Sequence, residues 1–288
     1  MKKIKSFALL FLVVCSLVLT NIAFALPKLE YHALRVGHGD CTVFKMPDGH
    51  IMVVDASTSG GASHIVSYLK SMGVKAIDLF VASHPHDDHI GGAGEVFRNF
   101  RVKNVWDSGF MRKRSKLQRN YLKMLQKSGV AFKRVKAGDT ATLGGAKIHV
   151  LAPKEVITGT RSDPNNNCII MLVKYGNVSF LLMGDAEREE QSGVKFPHAN
   201  VMKAPHHGSK NGNYDSLYAQ VKPDIVTFSY GESERGKLPH KATRQLLLKY
   251  KPIRLDTADG DIVIRTDGSQ IEYPKSRAVQ TVLKRKKK

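Results

Sequence analysis

Residues Val81 to Gly92 read VASHPHDDHIGG. The apolar run AIDLFVA leads the chain into this segment, and Gly91 and Gly92 lead it out. Between them His84, His86, Asp87, Asp88 and His89 crowd into six positions. One reading is a polar loop that happens to be rich in histidine. The other is a metal site. Histidines at i and i+2 after a strand end point two imidazoles at one ion, and an Asp and a His two and three positions on turn toward a second. Imidazole and carboxylate together suit zinc, iron or manganese.

Outward from this loop, strand and helix signals alternate in both halves of the chain. LEYHALRV and CTVFKMP read as strands, Asp48-Gly49 as a turn, and HIMVVDAS as the returning strand. GASHIVSYLKSMG spaces Ile65, Tyr68, Leu69 and Met72 at helical intervals and stops on Gly73. GAGEVFRNF and SKLQRNYLKMLQKSG read as helices, with KNVWDSG a strand between them. The second half supplies the strands KIHVLAP, CIIMLVKYG, VSFLLMGD, NVMKA and PDIVTFSYG, the helices EREEQSGV and ATRQLLLKY, and short closing strands. This predicts an α/β fold of four layers, αββα, with two mixed sheets face to face and helices on the outer faces. No long linker interrupts residues 27–273, so a single catalytic domain is expected there.

The spacing of the loop, His-x-His-x-Asp-His, resembles the signature of the metallo-β-lactamase fold. VGHGDCTVFKMPDGHIMVVDAS is similar to that family's opening hairpin, with Asp55 at its first, structural motif. FLLMGD puts Asp185 where the family has a carboxylate bridging two metals, and VMKAPHHGS resembles its last His motif. More narrowly, VGHGD, NNNCIIMLVKYGNVSFLLMGD, APHHGS, LPH before a helix and GDIVIRTDG resemble the extracytoplasmic metallo-β-lactamase domain of ComEC, the competence DNA-uptake channel. The resemblance covers nearly all of residues 30–270. That protein's membrane channel has no counterpart in these 288 residues, which implies a free-standing secreted relative.

Carried over position by position, the resemblance implies two divalent ions, zinc or manganese. His84, His86 and Asp185 would hold the first. Asp88, His89, Asp185 and His207 would hold the second, leaving His206 beside the site. Asp88, His206 and His240 are the expected catalytic residues. Many members have one more histidine before the bridging aspartate; here the stretch offers only His149, which alternates with apolar neighbours in a strand. Asn166, ahead of Asn165 and Asn167, is the residue expected to line the first metal instead, which would make that site weak and favour manganese. His240, in KLPHKAT, would contact a phosphate or protonate a leaving group; otherwise it caps the following helix. Lys203 and Ser209, which flank the HHG motif, are candidates for substrate phosphates, with a structural role as the alternative for each.

The chain ends carry separate signals. MKKIK, an apolar SFALLFLVVCSLVLTNI and AFA read as a signal peptide over residues 1–25, cleaved after Ala25. Its apolar core is shorter than a membrane span. The signal holds three lysines and no acid, so its removal lowers the formal charge of +20 by three. Residues 274–288 end in KRKKK, a basic tail. Cys41 and Cys168, both outside the signal, allow one disulfide or serve as small core residues.

Strong positive charge predicts a polyanionic partner, whether nucleic acid, an anionic envelope polymer or a membrane surface, or else a merely solvated basic surface. Residues 98–136 hold 13 Lys and Arg, with Trp106, Phe110 and Tyr121 available for base stacking, although SKLQRNYLKMLQKSG also reads as a helix with a solvated cationic face and an apolar core face. A secreted nuclease or phosphodiesterase is the leading expectation. Another hydrolysis at the same centre (an envelope phosphoester such as phosphorylcholine, a lactone or a lactam) stays open, as does a non-catalytic DNA- or envelope-binding module.

Overall fold

A computed structural model describes residues 28–274. The signal-peptide reading therefore lies outside the described residues, as does the tail reading beyond Pro274. Strands dominate because many runs are apolar at every position. In Ile51–Val54, Met52 and Val54 face one way and Ile51 and Val53 the other, and all four are buried. Leu79–Ala82 repeats the pattern. A strand apolar on both faces needs cover on both, which calls for a layered fold.

Two sheets supply it. The first runs, in spatial order, Ile271–Glu272, Ile262–Thr266, Leu29–Ala33, Thr42–Lys45, Ile51–Val54, Leu79–Ala82, Asn104–Asp107 and Ala131–Arg134. The second runs Ile253–Asp256, Ile225–Phe228, Val201–Lys203, Val178–Leu182, Ile170–Tyr175, Ala146–Ala152 and Thr140–Leu143. Each is antiparallel on one side and parallel on the other. The sheets share a core in which Tyr31, Phe44 and Phe180 pack with ring centroids 5.3–5.5 Å apart. Such ring pairs contribute about 0.5–1.5 kcal/mol each beyond their buried area. The Tyr31 hydroxyl reaches Thr227 of the opposite sheet at 2.8 Å.

Helices Ala62–Ser71, Ala93–Asn99 and Lys116–Ser128 cover the first sheet. Arg188–Ser192, Asp215–Val221 and Lys241–Tyr250 flank the second. This is the expected αββα sandwich. Asp215–Val221 was not among the elements read from sequence. Lys116–Ser128 is bounded as its sequence dictates: the Ser115 hydroxyl accepts from the Gln118 amide, and Gly129 ends it at φ 61°. Cys41 and Cys168 are buried free thiols in different outer cores, so the disulfide allowed by the sequence does not form.

Trp106, Phe110 and Tyr121 are all buried, which corrects the expectation that they stack on bases. Their apolar area is used in the core instead.

Candidate active site

The parallel strands of both sheets end on one edge, where open α/β sheets place their ligands. Ile51–Val54 delivers Asp55, and Leu79–Ala82 delivers Ser83 and His84. Val178–Leu182 delivers Asp185, and Val201–Lys203 delivers His206 and His207. The His-rich loop turns into the short helix Asp87–Ile90, which swings Asp88 and His89 back toward Asp185. His206 and His207 both take left-handed backbone angles, φ 47° and 53°. Such conformations cost roughly 1–3 kcal/mol each and persist where surrounding structure imposes them. Gly208 follows at φ 88°, and a Cβ there would lie 2.6 Å from the Pro239 Cβ. The turn therefore needs glycine.

One donor set consists of Asp88, His89, Asp185 and His207. His207 Nε2 lies 3.1 Å from Asp88 Oδ2 and 3.6 Å from Asp185 Oδ2. His89 Nε2 lies 3.3 Å from Asp185 Oδ1 and 3.6 Å from Asp88 Oδ2. Metal–nitrogen bonds of 2.0–2.1 Å in a tetrahedron require donors about 3.4 Å apart. Both imidazoles are oriented from behind: His89 Nδ1 pairs with Asp55 Oδ2 at 2.8 Å, and His207 Nδ1 donates to the Ser229 carbonyl at 2.9 Å. Asp55 is fixed in turn by the amide and hydroxyl of Ser83. Each ring thus turns its Nε2 inward.

The other set is His84, His86 and Asp185. His84 Nε2 lies 3.0 Å from His86 Nδ1 and 3.9 Å from Asp185 Oδ2. His149 is exposed on Ala146–Ala152 and contributes nothing here. Nor does the structure bring Asn166 to the cluster. Its amide nitrogen donates to Thr160 Oγ1 and the Ser162 carbonyl, and its oxygen accepts from the Glu190 amide. Asn165 is the residue at the site: its Nδ2 lies 3.4 Å from Glu187 Oε1 and 3.5 Å from His206 Nδ1, and its buried Oδ1 makes no hydrogen bond. In a 3-10 turn neighbouring side chains diverge by a third of a circle, so one residue of phase decides which asparagine faces inward.

His206 stands at the mouth, with Nε2 3.7 Å from Asp185 Oδ2 and Nδ1 3.1 Å from Glu187 Oε1. His240 immediately precedes helix Lys241–Tyr250, and its side chain does not cap it; its Nδ1 accepts from the Lys210 amide at 3.0 Å. Burial, and the positive charge of Lys210 and Arg244 nearby, hold its pKa below the ordinary histidine value. Lys203 does not face solvent, which corrects its assignment to substrate. It is buried, donates to the Gly184 carbonyl at 3.1 Å and forms an ion pair with Asp40. The Ser209 hydroxyl is also turned inward, accepting from the Asn211 amide.

Two partners escaped sequence reasoning although VGHGD carried them. Asp40 lies under the cluster, with Oδ1 3.6 Å from His207 Nδ1. Burial opposes its charge, but Lys203, His207 and His89 outweigh that and hold its carboxyl well below the usual range. His38, half-exposed, puts Nε2 3.3 Å from Asp88 Oδ2 and Nδ1 2.7 Å from Glu234 Oε1. Gly39 between them is obligatory, because a Cβ there would overlap the Asp88 carbonyl. For His89 and His207, burial opposes protonation, yet the facing carboxylates raise both well above the ordinary value. Such a concentration of carboxylates around imidazoles is what a divalent cation neutralises.

The donors fit such an ion. Three groups have ligand atoms all within 4.8 Å of one another: His84, His86 and Asp185; Asp40, His89, Asp185 and His207; and His38, Asp88 and His207, so Asp88 joins the cluster through His207. His89 Nε2 and Asp185 Oδ1 are buried and make no hydrogen bond. Left without partners, such atoms cost about 1–3 kcal/mol each, and coordination would satisfy both.

Comparison with known proteins identifies the family. The family described as the metallo-beta-lactamase superfamily matches residues 34–232. ComE operon protein 3 of Bacillus subtilis is 30% identical over 227 residues, which cover 77% of this chain and 27% of that protein. Recombination protein 2 of Haemophilus influenzae is 28% identical over 274 residues, 92% of this chain and 32% of that one. The chain thus spans about a third or less of these relatives. Among solved structures, the metallo-beta-lactamase fold protein YhfI of Bacillus subtilis superposes with TM-score 0.54 at 14% identity, over 83% of this chain and all of that one. CmlA, a diiron beta-hydroxylase from Streptomyces venezuelae, gives 0.52 at 15%, over 83% and 54%. With the family match covering residues 34–232, more than half of its length, the chain belongs to the metallo-beta-lactamase superfamily.

Proposed function

We propose that this chain is an extracytoplasmic, two-metal phosphodiesterase that cleaves nucleic acid, DNA foremost. The observation that carries the hydrolytic part is the meeting of two donor sets on Asp185, an arrangement suited to two ions about 3.5–4 Å apart. His84, His86 and Asp185 would hold one, with the Asn165 oxygen beside them. Asp88, His89, Asp185 and His207 would hold the other. Bound there, the ions supply Lewis acidity toward a phosphoryl oxygen and bring the pKa of water toward neutrality.

The chain's own groups would do the rest. Asp55 and the Ser229 carbonyl hold His89 and His207 in one tautomer. Lys203 keeps Asp40 ionised beneath them. His240, whose Nδ1 accepts the Lys210 amide, carries its neutral-ring proton on Nε2, ready for the leaving oxygen. His206, held by Glu187, would contact the phosphate. A nucleic-acid substrate is supported by the formal charge of +17 left once residues 1–25, with their three lysines, are removed (20 − 3), and by relatives named for the ComE operon and for recombination. Export through residues 1–25 belongs to the same proposal. Among the described residues no helix is long and apolar enough to cross a membrane.

The test is an assay of the purified chain with Mn, Zn, Mg and Ni on single- and double-stranded DNA and on bis-p-nitrophenyl phosphate. DNA cleavage that is lost in Asp88→Ala is the expected result. Cleavage of the small diester with DNA left intact would replace the nuclease reading by that of a small-molecule phosphodiesterase.

A further inference from the structure

Helix Asp87–Ile90, which carries Asp88 and His89, packs against Lys116–Ser128, and so does the next helix, Ala93–Asn99. The loop before Lys116–Ser128 is pinned to it at two points. The Gln118 side chain donates to the Phe110 carbonyl at 2.6 Å and accepts from the Arg112 amide at 2.8 Å. This fastening sets Arg112 beside the His-rich loop, with Nη1 3.3 Å from Asp87 Oδ1. From there Lys116, Asn120, Lys123 and Lys127 follow at intervals of four, three and four residues, all exposed. That spacing puts them on one face of a helix about 20 Å long. At its far end a hollow of about 520 Å³ opens between the two helices. Arg98 comes from one wall and Lys123 and Lys127 from the other, over a floor of Phe97 and Met124, and no acid lines it. Glu95, just outside, pairs with Arg98.

A merely solvated cationic face needs no concavity, no apolar floor and no convergence of cations from separate elements. We infer that this stripe and hollow form a track for a single-stranded stretch of the polynucleotide whose scissile bond lies at the metal centre. Phosphates would run along Arg112, Lys116, Lys123, Lys127 and Arg98, and an unstacked base would lie on the Phe97–Met124 floor. The inference rests on the nuclease reading and names where that substrate extends.

The experiment compares wild type with the triple variant Arg98→Ala/Lys123→Ala/Lys127→Ala on a single-stranded 20-mer and on bis-p-nitrophenyl phosphate, across a salt series. The ratio of kcat/KM for the 20-mer to that for the small diester should fall at least about tenfold. Each lost phosphate contact removes about 0.7 from the log–log salt slope, so the slope for the 20-mer should flatten by about 2. Lys147→Ala, which removes an exposed charge from the second sheet, should leave both readings at the wild-type value. Wild-type ratio and slope in the triple variant would overturn the track while leaving the nuclease standing. An equal change in Lys147→Ala, charge for charge, would overturn it as well. A wild-type chain that cleaves only the small diester removes the nuclease reading and the track together.

Discussion

The two halves of the proposed metal centre are built to different standards. In the Asp88–His89–His207 half each imidazole has a second partner behind it, Asp55 in one case and the Ser229 carbonyl in the other. Asp88 is itself met by His38, which Glu234 holds. In the His84–His86 half two imidazoles share Asp185, His84 is backed by Ser83 Oγ at 3.1 Å, and no third imidazole joins the group among the described residues, while Asn165 stands beside His206. Both halves have ligand-type residues; only one has a full set oriented from outside. Affinity for a metal depends on that outer layer as well as on the donors, so the halves should bind unequally.

Several changes would break or sharpen this contrast. The largest effect belongs to Asp185→Ala, which removes the carboxylate common to both halves. Both ions should be lost and hydrolysis should fall by about a thousandfold or more, as metal analysis and initial rates would show. Asp55→Asn comes next. It keeps the shape but removes the charge that orients His89, so affinity in the better half should drop roughly 10- to 100-fold by competition with a chromophoric chelator. Asn165→His works in the opposite direction, offering the weaker half a third imidazole, and should tighten zinc binding there. The same change at Asn166 should destabilise the fold without tightening binding, since it breaks three hydrogen bonds.

The smallest effect concerns Glu190, which steadies the asparagine turn by accepting from the Cys168 amide at 3.1 Å. Burial pushes its carboxyl up to about 9, only partly offset by that bond. Between its ordinary value of 4.5 and about 9 the folded chain keeps a proton that the unfolded chain releases. This group's contribution is therefore fully present below pH 4.5 and declines as pH rises toward 9. Glu190→Gln should melt higher than wild type at pH 8, with the gap closing near pH 4.

The layers of the fold and the candidate ligands of the His-rich loop were legible because their signals are local. Two-sided apolar strands announce a sandwich, and six contiguous positions announce a metal loop. What escaped was contact across the fold. Glu234 reaches His38 from 196 residues away, and Lys203 meets Asp40 only once the two sheets have stacked. No periodicity in either segment marks such a pair. Lys203 looked like a phosphate ligand because its charge is visible in sequence and its burial is not. Trp106, Phe110 and Tyr121 misled for the same reason, since an aromatic reads alike whether it faces a base or the core. For NNNC the composition was informative, but the phase of a single turn was not.

The most direct test is native mass spectrometry of the metal-loaded chain during titration with a chelator. The account predicts two ions leaving in separate steps, with the first, weaker step absent from His84→Ala and the second shifted to lower chelator in Asp55→Asn. Two ions released together, or a single ion that His84→Ala leaves undisturbed, would contradict it.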